Sequence, residues 1–177
     1  MPPVAIGEEA RDVDLARAGD RLAFARLFER FAPMVHGVLL ARAPRSDVDD
    51  LMQDVFMVAM QRLSSLRSAS ALGPWLAALA RHRAADHHRK GPMLVEVRDE
   101  IASTDCRAEA NQVLAIIRTL PEAYRETLVL RLVEGLSSAE IGEQVGLTPE
   151  SVRVNVHRGT KLLKERLGIG PGGSADE

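Results

Sequence analysis

The chain has 177 residues, a net charge of −2, and 46% hydrophobic but only 3% aromatic content. That length can bury one ordinary core or two small ones, and recurrent Ala, Leu and Arg favour an all-α fold, because straight-chain residues lose little rotamer freedom in a helix. No run nears the eighteen or so apolar residues of a membrane helix, and Met1-Pro2-Pro3-Val4 lacks signal-peptide order. The lone Cys106 excludes an intrachain disulfide or a cysteine-rich metal site, so a cytoplasmic protein with no membrane insertion and no cofactor is expected.

Residues 1–11 and the tail from Gly168 are rich in Pro, Gly and small polar residues and are expected to be mobile. From Val13 to Ala41, Leu15, Leu22, Phe24, Leu27, Phe28, Phe31, Val35 and Leu39 recur at helical spacing. Gly19-Asp20 and Ala32-Pro33 interrupt them, which predicts two helices with Pro33 near the start of the second. Ser46 or Asp47 can cap the next helix, which carries Leu51, Val55, Val58, Ala59 and Leu63 inward. Residues 64–73 then form a Ser-rich loop. Pro74 suits the first turn of a further helix, where its missing N–H has no partner to lose, and Trp75, Leu76, Leu79 and Ala80 supply the apolar stripe. That helix ends in a basic run before Gly91-Pro92: Arg81 to Lys90 holds four basic residues, one acidic and three His.

Residues 91–112 carry two basic and five acidic side chains without sustained periodicity, which marks a linker. The expected organisation is thus two small helical domains, 12–90 and 113–167, joined by a flexible acidic linker, 91–112. Beyond it Val113, Leu114, Ile116, Ile117 and Leu120 define one helix, and Pro121 opens the next, which runs towards Gly135 through Leu128, Leu132 and Val133.

Residues 137–152 have the spacing of a helix-turn-helix. Ser137 caps a short helix with Ile141 and Val145 facing the core. Gly146 takes the positive φ that stops it, Leu147 fills the angle, Thr148 caps the second helix, and Pro149 opens it. With Val152, Val156 and Leu163 turned inward, Ser151, Arg153, Val154, His157, Arg158 and Lys161 remain for a major groove. Arg153 to Arg166 holds five basic residues and one acidic, a local patch that the net charge conceals. An ordinary αα-hairpin with a solvated basic face is the alternative, weakened by the conjunction of cap, turn and basic helix at these offsets.

The tract Asp49-Asp50-Leu51-Met52-Gln53-Asp54-Val55-Phe56, with the helix from Trp75 to Arg89, resembles the second conserved region of extracytoplasmic-function sigma factors. Leu120-Pro121-Glu122-Ala123-Tyr124-Arg125, followed by the helix-turn-helix and Val156-His157-Arg158, resembles the fourth region of that family in order and spacing. Together the two cover about residues 12–167. The resemblance implies a sigma factor that directs core RNA polymerase to promoter DNA, with the polymerase doing the chemistry and an anti-sigma factor as a further partner. Carried over residue by residue, it assigns polymerase binding to Asp50, Gln53, Asp54 and Met57, which recur at i, i+3, i+4 and i+7 opposite Leu51, Val55 and Val58. A merely solvated face is the alternative there.

The same resemblance assigns minus-10 recognition to Arg67 and Ser68 of the loop, which would hold a base flipped from the melted strand, and to His82, Arg83, Asp86 and Arg89 of the basic helix. Minus-35 recognition falls to Thr148, Glu150, Ser151, Arg153, Val154, His157, Arg158 and Lys161. Met60 and Leu66 stand where the family often has large aromatics, and Val154 and Asn155 where Ser and Arg are common, so the family's minus-35 sequence preference does not transfer. Two other readings compete. A metal site at His82, Asp86, His87 and His88 is opposed by the divergence of adjacent His side chains. A stand-alone helix-turn-helix regulator would bind DNA tightly without polymerase. No nucleophile–base arrangement or phosphate loop supports an enzyme.

Overall fold

The computed structural model describes residues 6–90 and 105–169, all of whose regular elements are helical. Four helices precede the undescribed 91–104 stretch: α1 (Ile6–Arg17), α2 (Arg21–Leu40), α3 (Arg45–Arg62) and α4 (Leu72–Lys90). Two 3-10 turns, Leu63–Ser65 and Ala69–Ala71, shape the loop between α3 and α4. Four more follow: α5 (Asp105–Arg118), α6 (Glu122–Leu132), α7 (Ser138–Val145) and α8 (Pro149–Arg166).

Three expectations change. Pro33 lies inside α2, so only Gly19-Asp20 breaks the chain, and Asp20 caps α2 by accepting from the amides of Leu22 and Ala23. An interior proline costs about 3 kcal/mol, but Ala23, Leu27 and Phe31 before it and Met34, Val35 and Val38 after it are buried on the same helix. At roughly 1.5–3 kcal/mol for each large side chain, their shared burial outweighs the break. α1 begins at Ile6, inside the stretch expected to be mobile. α5 begins at Asp105, inside the stretch read as linker. The acidic residues Glu96, Asp99 and Glu100 and the tail from residue 170 onward lie outside the described residues.

The helix-turn-helix has the anticipated local chemistry. Ser137 and Glu140 form a reciprocal capping box on α7, and these hydrogen bonds hold the Glu140 carboxyl below its ordinary range. Gly146 ends α7 at φ +79°, and Thr148 caps α8 through the Ser151 amide. Leu147 is a correction, because its side chain is 40% exposed and does not fill the angle between the helices. What closes the angle is backbone against backbone. A Cβ on Gly142 would lie 2.6 Å from the Leu147 carbonyl oxygen.

The lobes α1–α4 and α5–α8 do not stand apart. α6 packs on α2 and α7 packs on α4, and one apolar core runs from Val13, Phe31 and Leu76 through to Leu128, Leu130, Ile141 and Val152. Replacing Gly142 by Ala should destabilise the C-terminal lobe by about 1–3 kcal/mol through overpacking, despite a helix-propensity gain of about 1 kcal/mol. A chemical denaturation midpoint equal to or above that of the parent would contradict this packing.

Candidate nucleic-acid and protein interfaces

α3 is amphipathic across its width. Val48, Leu51, Val55, Phe56 and Ala59 are buried, while Asp50, Gln53 and Asp54 are exposed and Met57 is 49% exposed. The four residues expected to share a stripe are therefore all available at the surface. Beside them lies a feature the sequence reading missed. Phe24 and Phe28 of α2 join Met52, Phe56, Met57 and Met60 of α3 in an open apolar groove whose rim carries Asp49 and Gln53. Phe28 packs on Phe56 with ring centroids 4.5 Å apart, which fixes the groove floor. In the sequence Phe24 and Phe28 are part of an apolar repeat at helical spacing, and such periodicity does not distinguish a core stripe from a groove wall.

α4 is held by its basic end. His87 Nε2 lies 2.7 Å from Asp47 Oδ2 on α3, and His88 Nε2 lies 2.7 Å from the Arg42 carbonyl oxygen after α2. Burial works against ionisation of Asp47, but hydrogen bonds from Ser46 and His87 prevail and hold its carboxyl below the ordinary range. Asp47 therefore serves as an anchor for α4, while the N-cap position of α3 is Pro44. Of the expected minus-10 residues, Arg67, Ser68, His82 and Arg89 are exposed and Arg83 and Asp86 half-buried, with Asp86 and Arg89 ion-paired on one face of α4. Asp86, His87 and His88 thus turn to three different partners, which disperses the metal-like quartet.

The C-terminal surface is presented as expected in exposure. Thr148, Glu150, Ser151, Arg153, Val154, His157, Arg158 and Lys161 are all exposed, and Val152 and Leu163 are buried beneath them. Four of the eight are partly engaged in two pairs: Arg153 with Glu150 at 3.0 Å, and the Thr148 hydroxyl with that of Ser151 at 2.9 Å. Thr148 and Ser151 build the helix start, which leaves His157, Arg158 and Lys161 as the side chains projecting from the middle of α8.

The charge network that sequence reasoning missed lies between the lobes. Glu126 of α6 is 6% exposed and receives Arg81 of α4 in a bidentate pair, Nη2–Oε1 at 2.7 Å and Nε–Oε2 at 3.1 Å. Arg42 approaches the same carboxylate at 2.8 Å and reaches Glu122 at 2.6 Å. The Glu126 hydrogen bond raises the Arg81 pKa, which favours the charged guanidinium against the opposing effect of burial. On the other side of the junction His36 Nδ1 lies 2.6 Å from Glu134 Oε1, and that bond raises the His36 pKa against the opposing effect of burial. Nothing in local spacing signals a contact between residues 45 and 98 positions apart.

Comparison with known proteins matches both lobes. Residues 27–91 match the family described as Sigma-70 region 2, and residues 110–163 match Sigma-70, region 4. The RNA polymerase sigma factor CarQ of Myxococcus xanthus is 32% identical over 163 residues, covering 86% of this chain and 93% of the relative. The ECF RNA polymerase sigma factor SigD of Mycobacterium tuberculosis is 33% identical over 172 residues, covering 86% and 80%. Among solved structures, CnrH in complex with the cytosolic domain of CnrY superposes with a TM-score of 0.66 at 23% identity, over 91% of this chain and 97% of that one. That likeness concerns the fold. No described helix is long and apolar enough to cross a membrane.

The Asp47–His87 pair predicts an acid-side pH dependence. A depressed folded pKa contributes stability above the ordinary Asp value of 3.8, lost as pH falls through the lower folded value. Asp47→Asn should therefore flatten the stability profile below about pH 4, the range in which unfolded Asp protonates. Equal acid-side slopes for the two proteins would show that the pair contributes nothing to anchoring α4.

Proposed function

The chain belongs to the sigma-70 family as an RNA polymerase sigma factor of the extracytoplasmic-function type, and from that premise we propose how its two lobes divide promoter recognition. The observation that carries the division is the placement of two chemically different exposed surfaces on opposite lobes. One is an apolar groove with an acidic rim on α2 and α3; the other is a cationic helix face on α8.

In this reading Asp50, Gln53, Asp54 and Met57 meet core polymerase. The groove accepts apolar side chains of a partner helix, and the carboxylates select a basic rim around them, so the interface has an apolar centre and a charged periphery. Arg67 and Ser68 of the loop, with His82, Arg83, Asp86 and Arg89 of α4, meet the minus-10 element once its strands part. A single strand there is held by cations and edge contacts, with few aromatic platforms to stack upon. His157, Arg158 and Lys161, flanked by Arg153, Val154 and Ser151, enter the major groove at the minus-35 element, with Thr148 and Glu150 at the mouth of the helix. Polymerase performs the bond-making chemistry, and the chain supplies positioning in the cytoplasm. The fold neighbour CnrH was solved with the cytosolic domain of CnrY. An anti-sigma protein that covers the same α2–α3 groove is the corresponding partner proposed here.

The reading is tested by transcription in vitro with purified core polymerase and a library of promoter fragments, with and without the chain. Chain-dependent, start-site-specific transcripts support it. A chain that binds a palindromic operator alone and leaves core unchanged would favour a stand-alone regulator. Within the same assay, Asp54→Lys combined with Met57→Ala should weaken core binding by about tenfold or more, equivalent to 1.4 kcal/mol. Arg158→Ala with Lys161→Ala should spare core binding, lower promoter affinity, and reduce the salt dependence by up to about one ion per lost phosphate contact. If both pairs of substitutions weakened core binding alike, the division between the lobes would fail.

A further inference from the structure

Val154 stands at the centre of the outward face of α8. It follows the buried Val152 by two residues, which at about 100° per residue places it about 200° round the helix, opposite the core. It is 45% exposed. Glu150 and Ser151, four and three residues before it, and His157, Arg158 and Lys161, three, four and seven after, are exposed around it. One branched apolar side chain thus stands inside a polar and cationic ring. The helix is fixed in that orientation. Thr148 caps it through the Ser151 amide and Pro149 opens it. The missing side chain of Gly159 lets its inner face close on α6, since a Cβ there would lie 2.8 Å from Leu128 Cδ1 and 3.0 Å from Tyr124 Cβ. Glu150, the acidic member of the ring, pairs with Arg153 at 3.0 Å, which offsets its repulsion of an approaching phosphate.

An apolar side chain has one counterpart among the base edges of a major groove. Adenine, guanine and cytosine present ring nitrogen, carbonyl or amino groups there, and thymine alone adds an apolar group, its C5-methyl. Valine pressed on a polar edge would strip it of water with no hydrogen bond in return, whereas a methyl group and a valine lose only apolar surface to one another. We propose that Val154 is a specificity-determining residue that reads a thymine C5-methyl group in the minus-35 element, which therefore carries a T·A pair of fixed orientation beneath it. This rests on the reading of α8 as the minus-35 helix and supplies the base chemistry which that reading leaves open. Selection works in two directions: methyl burial favours thymine, and the unpaired polar edge disfavours the other bases.

The test uses holoenzyme reconstituted from core polymerase and the full chain. Duplex promoter fragments are first selected by this holoenzyme from a pool randomised across the minus-35 region. Each thymine of the selected element is then replaced in turn by deoxyuridine, which keeps every hydrogen-bonding group and lacks only the methyl. One of these replacements should weaken holoenzyme binding about fourfold, the equivalent of about 0.8 kcal/mol for one methyl-sized group taken out of water. With Val154→Ser, its helical signal retained, thymine and deoxyuridine at that position should bind alike. At the same position 5-methylcytosine should bind the parent more tightly than cytosine does, and the Val154→Ser protein no more tightly. The proposal is overturned if the selected element holds no thymine, if no thymine responds to loss of its methyl, or if Val154→Ser keeps the parent's discrimination. It is overturned equally if Val154→Ser weakens core binding, which would set Val154 against polymerase. Failure of the sigma reading shows itself earlier, as no enrichment of fragments over core polymerase alone, and the proposal then falls with it.

Discussion

A carboxylate buried to the depth of Glu126 must be paired, and both of its partners come from the other lobe. That constraint organises the junction. Removing one partner from a buried pair typically costs about 3–5 kcal/mol, whereas a complete pair contributes little net stability over hydration. The network therefore specifies which faces meet and in what register more than it strengthens the contact. Arg42 follows the end of α2, Arg81 sits on α4, and Glu122 and Glu126 sit one turn apart on α6, so three helices are brought to one point. The apolar core that continues beneath them supplies the cohesion.

The two outward surfaces follow from that arrangement. With α6 and α7 docked on α2 and α4, the face of α3 bearing Asp50, Gln53, Asp54 and Met57 points away from the junction, as does the cationic face of α8. Each surface is backed by buried residues of its own helix, Val55 and Ala59 under one and Val152 and Leu163 under the other. The apolar groove of α2 and α3 and the cationic face of α8 are thus held on separate lobes, and it is this separation that the proposed division between polymerase and DNA rests on.

Local chemistry was legible in the sequence wherever it is self-contained. The Ser137 and Thr148 caps, the Gly146 stop, the Pro74 helix start and the exposed stripe of α3 are all decided within four residues of themselves. Pro33 was misjudged because a local rule was overridden by burial along the whole of α2, and Leu147 because the turn is closed by the missing side chain of Gly142. The groove between Phe24, Phe28 and Met57 was illegible for a different reason. Its walls are apolar residues at core-like spacing, and only the relative placement of α2 and α3 leaves them open to solvent. Arg81 stood out only as part of a basic run, and Glu126, His36 and Glu134 carried no local signal, since nothing short of the tertiary fold pairs them.

The central claim is that the two lobes contact two separate stretches of promoter DNA, and only in company with polymerase. A DNA-cleaving chelate tethered to a cysteine at Gln61, beside the loop of residues 64–73, or at Lys164 on α8, with Cys106 replaced by Ser, tests this directly on a promoter bound by the reconstituted holoenzyme. The account predicts strand cuts near the minus-10 element from the first position and near the minus-35 element from the second, both dependent on core polymerase. Cuts from both positions at a single site, or the same cuts with the chain alone, would contradict it.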